Sequence, residues 1–159
     1  MKKYLALLAL PAVFTVALAA PAMADDGAPK ATVEQQQQYD AMSPEIQTVM
    51  NYVYAQLGKR YTPGAAGPNA FDCSGLTSWA WSQAGVSIPR TSGGQAGLPS
   101  VPLSELQPGD LVTYYSPVSH VAMYIGNGQV VHASTESRPV YVTTVSGAGP
   151  NASGHRVSG

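Results

Sequence analysis

Residues 120–133 read HVAMYIGNGQVVHA, two runs rich in Val, Ile, Tyr and Ala on either side of Gly126-Asn127-Gly128. β-branched and aromatic residues around such a turn are the signature of a β-hairpin. The first run opens with His120 and the second carries His132 near its end. Side chains alternate between faces along a strand, so the hairpin register decides whether the two imidazoles can meet. A two-residue loop, Asn127-Gly128, pairs Gly126 with Gln129 and sets His132 opposite Met123, on the other face from His120. A three-residue loop, Gly126-Asn127-Gly128, pairs Ile125 with Gln129 and sets His132 opposite Ala122. His120 is then its diagonal neighbour. Only the three-residue loop, or an equivalent bulge, brings the rings together.

Outward from the hairpin, strand signals recur at 111–115 and 140–145, after the turn Pro108-Gly109. Upstream the period changes. Ser43 and Pro44 suit an N-cap and first helical position, and Ile46, Val49, Met50, Val53 and Leu57 follow at helical spacing up to Gly58. Residues 62–70, TPGAAGPNA, form a loop. A second helix is expected over 73–84, capped by Asp72, with Leu76, Trp79 and Ala80 on its buried face and Gly85 ending it. Helices followed by antiparallel strands make an α+β domain.

Composition supports one packed domain. The chain has 159 residues, 45% hydrophobic and only 11% charged, which is too apolar for a disordered polymer. Eight Lys+Arg against nine Asp+Glu give a net charge of −1, so no electrostatic case for nucleic acid exists. A single cysteine excludes a disulfide framework, a four-cysteine zinc site and a two-cysteine, two-histidine one.

Residues 1–24 read as a signal peptide. Lys2 and Lys3 precede an apolar stretch broken by Pro11, and Ala22-Met23-Ala24 is a small-x-small cleavage site. The stretch is too short and interrupted for a membrane anchor, and no cysteine follows it to accept a lipid. Residues 25–42 are expected to be a flexible leader, polar and with a glutamine run at 35–38. The folded domain then covers 43–159. His155 lies outside any motif and is expected to face solvent.

A lone cysteine in an exported protein is either buried and inert or kept for its chemistry. Cys73 follows an Asp and opens a helix, where the positive end of the dipole favours the thiolate. His120 and His132 downstream are potential bases. From the residues alone, Cys73 reads either as a small core residue or as a nucleophile. His132 reads either as a core histidine or as a catalytic one.

The motifs separate these readings. Phe71-Asp72-Cys73-Ser74-Gly75-Leu76 resembles the nucleophile motif of the NlpC/p60 family of cell-wall cysteine peptidases. IPRTSGGQ at 88–95, LQPGDLV at 106–112, HVAMYIGNGQVVHA at 120–133 and PVYV at 139–142 follow in the family's order. The resemblance covers about residues 45–145. It implies a papain-like fold, with N-terminal helices packed on a C-terminal antiparallel sheet. It further implies that Cys73 is the nucleophile, His120 the general base and His132 the polar group that orients it. Tyr61 matches a tyrosine whose hydroxyl reaches the site. Asp72, Ser74 and Ser92 match contacts to a stem-peptide D-glutamate or its neighbour, and Arg90 and Gln95 are matched beside them. The implied substrate is the peptidoglycan stem peptide, cut at the γ-D-glutamyl–diamino acid bond by a monomer in the cell wall or outside the cell. No metal or cofactor is implied. Where the family commonly has Tyr-x-Trp-Gly-Gly, this chain has Tyr61-Thr62-Pro63-Gly64-Ala65.

Overall fold

The computed structural model describes residues 32–157. The signal peptide expected at 1–24 and the first part of the leader lie outside these residues. Two compact units divide at residues 41 and 42.

In the first unit, Val33–Ala41 forms helix α1, where a structureless leader was expected. Its start is a reciprocal capping box. The Gln35 amide donates to Thr32 Oγ1 at 3.2 Å, and the Thr32 amide donates to Gln35 Oε1 at 2.8 Å. Gln36 and Asp40 bond one turn apart at 2.8 Å. Glutamine is a good helix former, so the run expected to be disordered instead propagates the turn. None of the residues of α1 is buried, which is why it has no apolar period.

The second unit begins with α2 (Pro44–Tyr54), capped by Ser43 through the Ile46 amide at 3.3 Å. It buries Val49, Met50 and Val53. Leu57, expected on the same helix, falls beyond its end and is exposed. The next residues are tied to a distant segment. The Gly58 amide donates to the Val140 carbonyl at 2.9 Å, and the Val140 amide to the Lys59 carbonyl at 2.8 Å. Strands β1 (Arg60–Tyr61) and β2 (Ala70–Phe71) pair in parallel, Tyr61 beside Phe71.

Helix α3 (Cys73–Gln83) follows, with Asp72 as its N-cap. Its buried face holds Leu76, Thr77, Ala80 and Trp81. The expected Trp79 is only half-buried, edge-on to Tyr52 and Phe71, and Trp81 takes the core position with its indole donating to the Gly109 carbonyl at 3.1 Å. The face is turned because α3 packs both on α2 and on the sheet. Gly75 is dictated by a close approach: a Cβ there would run into the Ala65 carbonyl of the loop folded over the helix start.

A short α4 (Ser92–Gln95) precedes β3 (Ser100–Val101), β4 (Leu111–Tyr114), β5 (His120–Gly126), β6 (Gln129–His132), β7 (Tyr141–Thr144) and β8 (Ser153–His155). These six form one antiparallel sheet in the order β3-β8-β4-β5-β6-β7. Helices thus precede a sheet, the α+β papain-like arrangement expected, and α3 lies against β5. Strands β3 and β8 are too short and polar to show in the sequence. Through β8 the C-terminal segment enters the sheet, so His155 is buried, contrary to expectation, sharing a hydrogen bond with Thr113 Oγ1 at 3.0 Å. Arg156 fixes this end with a bidentate pair to the buried Asp110, at 3.0 and 2.8 Å.

Candidate active site

The hairpin settles its register by an unexpected division of labour. Gly126 pairs with Gln129, so the loop is the two residues Asn127-Gly128, both at positive φ (55° and 71°), and of the two expected routes, a three-residue loop or an equivalent bulge, the hairpin takes the second. The register then shifts between Tyr124 and Gly126, leaving Ile125 as a bulge, and Tyr124 pairs with Val130. Beyond the bulge the strands run as a three-residue loop would have set them. His120 and His132 therefore share a face, and His120 Nε2 lies 2.8 Å from His132 Nδ1. Both rings are buried, and His132 also packs on Tyr141 with ring centroids 4.5 Å apart.

Cys73 stands at the first position of α3, half-buried, and α3 packs on β5, where the backbone N–H of Val121 is near enough to the sulfur to favour the thiolate. Val121 directly follows His120, so the thiol lies against the strand that carries the imidazoles. His132 occupies Nε2 of His120, which leaves Nδ1 as the nitrogen available to a thiol. For that nitrogen to accept a proton, Nε2 must donate to His132 Nδ1, and His132 must carry its own proton on Nε2. Among the described residues, His132 Nε2 is buried without a hydrogen-bond partner.

Electrostatics here run against the thiolate that the helix start was expected to favour. Burial pushes the Cys73 thiol above its usual range and the Asp72 charge adds to this, outweighing the Val121, Ser74 and Cys73 amides that favour the thiolate. Burial likewise pushes His120 down to about 4. His132 is lowered by burial, then by His120 and Arg138. Both groups are thus neutral at rest, because a pocket that excludes water penalises either charge.

The expected substrate-side residues are found largely bonded to one another. Arg90 reaches Asp72 with both ends of its guanidinium, at 3.0 and 2.9 Å, and Ser74 Oγ at 2.9 Å. Asp72 also accepts from the Gly75 amide at 2.6 Å and the Gly64 amide at 3.0 Å. Burial alone would raise its pKa, but the Arg90 hydrogen bond, the Gly75 amide, the Arg90 charge and the Gly64 amide together hold it low. Tyr61 is drawn in by the β1–β2 pairing. Its pKa is raised, first by burial and then by the acidic groups of Cys73, Asp72 and Glu136. Ser92 opens α4 and is half-buried. Gln95 is fully buried, accepting from Thr77 Oγ1 at 2.7 Å and donating to the Ser74 and Pro89 carbonyls at 3.2 and 2.8 Å, which fastens α4 to the start of α3. Among the described residues no three metal-binding side chains converge, and no helix is long and apolar enough to cross a membrane.

The model of the NlpC/P60 family matches residues 58–157. The chain belongs to the NlpC/P60 family. A protein of Corynebacterium glutamicum (strain R) named "probable endopeptidase" is 44% identical over 134 residues, spanning 83% of this chain and 57% of the relative. The peptidoglycan hydrolase RipB of Mycobacterium tuberculosis superposes with a TM-score of 0.65 at 28% identity, over 84% of this chain and 75% of its own. RipD of the same organism, described as a non-catalytic NlpC/p60 domain protein adapted to peptidoglycan binding, superposes with a TM-score of 0.63 at 26% identity, over 74% and 100%. This chain spans between 15% and 57% of the length of the curated relatives it matches.

One group missed by the sequence reading lies nearby. Arg60, Glu136 and Arg138 line an open cleft of about 660 Å³ that Tyr61 also borders. No motif marks them, because they come from strand β1 and the loop before β7, joined only by the fold.

Proposed function

We propose that the chain is an exported cysteine endopeptidase that hydrolyses peptidoglycan stem peptides at the γ-D-glutamyl–diamino acid bond. The observation that carries this reading is the placement of its one cysteine. Cys73 opens a helix that packs on the strand His120 opens, and Nε2 of His120 is already engaged by His132.

In this reading His120 Nδ1 takes the Cys73 proton as the sulfur attacks the peptide carbonyl, so charge separates only when the bond forms. Backbone amides at the start of α3, with the Tyr61 hydroxyl, hold the oxyanion. Collapse gives a thioester, and His120 returns the proton to the leaving amine. Water, deprotonated by the same nitrogen, then releases the acid and restores the thiol. His132 acts as a positioning residue that fixes the His120 tautomer. Asp72, Ser74, Arg90 and Ser92 border the acyl side of the substrate. The enzyme acts as a monomer in the wall or outside the cell, without metal or cofactor.

RipD shows that membership alone does not entail hydrolysis. Possession of Cys73, His120 and His132 together favours catalysis here, since binding needs no nucleophile. An acyltransferase would pass the same thioester to an amine. Digestion of purified peptidoglycan and of free stem peptides, with mass spectrometry of the products, distinguishes these. Water-derived carboxylates that disappear in the Cys73→Ala protein are expected. Amide products would point to transfer, and activity surviving in Cys73→Ala would overturn the mechanism.

A further inference from the structure

Neighbouring strands β4, β5, β6 and β7 each give one ring to a single row across the sheet. Tyr114 on β4 is the register partner of His120, and His132 is the register partner of Tyr141 on β7. With the two histidines in contact between them, successive ring centroids lie 5.7, 5.0 and 4.5 Å apart. The row ends on one side at Tyr114, fully buried, with its hydroxyl donating to the Val145 carbonyl at 2.8 Å. It ends on the other at Arg138, whose exposed guanidinium lies 4.8 Å from the centre of the Tyr141 ring. The two ends therefore differ in charge, and the imidazole pair lies between them.

That asymmetry bears on where a proton taken from the thiol leaves its charge. Once His120 Nδ1 is protonated, the Nε2–H of the same ring still bonds His132 Nδ1, 2.8 Å away. Passing that second proton to His132 would leave His120 neutral, with one proton on Nδ1. A neutral imidazole is a far weaker acid than imidazolium, so the leaving amine would lose its proton donor. The row opposes this transfer. His132 Nε2 is buried with no partner among the described residues, so an imidazolium there would keep an unsatisfied N–H. Burial, then His120, then the Arg138 charge disfavour a cation on His132, whereas burial alone disfavours one on His120. The Tyr141 ring already engages the Arg138 guanidinium, so a second cation beside it meets a like charge. Tyr114 lies within the distance of about 6 Å at which an aromatic ring attracts a cation, and its neighbour in the row is His120. The other titratable group facing His120 is the Cys73 thiol on α3; α4, also packed on β4 and β5, brings none. Resting on the endopeptidase reading above, we propose that Tyr114 and the Tyr141–Arg138 pair are positioning residues that confine the positive charge of the reaction to His120 and keep it off His132.

The test locates the proton. Ring nitrogens of the full chain labelled with 15N-histidine are followed by NMR as the pH is lowered from neutrality through the titration of the pair. In the parent the first proton is expected on His120, with His132 still a neutral imidazole. Arg138→Gln should raise the share of charge on His132 about two- to fivefold, the scale of an exposed charge, and Arg138→Lys should restore the parent's distribution. In hydrolysis of stem peptides, Tyr114→Leu should lower kcat about tenfold at unchanged KM, whereas Tyr114→Phe, which keeps the ring, stays within about twofold of the parent. A first proton on His132 in the parent, or a distribution that Arg138→Gln leaves unaltered, overturns the proposal. Equal losses of kcat in Tyr114→Leu and Tyr114→Phe overturn the part given to Tyr114. A first proton on His120 in a chain that cuts no stem peptide overturns the endopeptidase reading and retains the charge assignment.

Discussion

The two sides of the candidate site control charge by opposite means. On the helical side, Asp72 is kept ionised by partners: both arms of Arg90 and the amides of Gly75 and Gly64. On the sheet side, His120 and His132 are kept neutral by burial, with only each other as hydrogen-bond partners among the described residues. Cys73 stands between them, raised by its own burial and by the Asp72 charge. Desolvation acts on both sides. It wins where the partner is another imidazole and loses where the partner is a guanidinium. The site thus holds a fixed charge next to a neutral pair of imidazoles.

The comparison breaks most completely at the thiol. Cys73→Ala should lower hydrolysis of stem peptides by about 1000-fold or more, with a melting temperature close to the parent's. His120→Ala is expected to cost about 100-fold to 10,000-fold in kcat/KM, the range of general acid–base catalysis. His132→Ala should be milder, about 10-fold to 100-fold, since it removes the partner and not the proton carrier. Equal losses for the two histidine variants would contradict these roles.

Neutrality at rest gives a pH signature. The base must be unprotonated, so lowering of His120 should carry the acid limb of kcat/KM below the ordinary imidazole value of about 6.5. The values read from such a profile belong to the coupled groups jointly. Stability follows the same linkage. The unfolded histidines bind protons near pH 6.5 and the folded His120 only near 4, so the unfolded state takes up more protons between these values. Stability is therefore complete above about pH 6.5 and falls as the pH drops towards 4, by at most roughly 3 kcal/mol for a histidine so shifted. Melting curves over this window should flatten in His120→Asn. An unchanged slope would place the titration elsewhere.

On the helical side the effect is smaller and concerns stability. Asp72→Ala removes the cap of α3 and strands Arg90, at a cost of about 2 kcal/mol, read as a melting point several degrees lower. Arg90→Ala should cost less, because its side chain is 42% exposed and the amides still hold Asp72. A larger loss for Arg90→Ala would show that the ion pair, and not the cap, secures the helix start.

The α+β order, helix α3 with its Asp72 cap, and the central strands were legible in the sequence because they rest on local period and capping chemistry. Cys73, His120 and His132 were legible as candidates, carried by contiguous motifs, and the fold sets Cys73 at the start of α3 and pairs the two histidines. Helix α1 was legible in principle, through Thr32 and Gln35, but a polar segment without an apolar period gives no burial signal. The buried face of α3 was not, since Trp79 and Trp81 are equally apolar and only packing on α2 and the sheet chooses between them. Nor was the place of His155, whose strand is three residues long and exists because β3 and β4 flank it.

The hairpin divides the two kinds of information most clearly. Its sequence determined that His120 and His132 must share a face if they are to act together, and that either a longer loop or a bulge would achieve it. Choosing the bulge at Ile125 was left to the tertiary structure. Asn127-Gly128 favours the tight turn locally, whereas the register beyond it is set by the whole sheet, in which β5 and β6 must also bury Met123 and Val131. The charged cleft was decided in the same way. Arg60 and Arg138 are distant in sequence, and the Val140 hydrogen bonds join their two segments, so that both line one cleft with Tyr61.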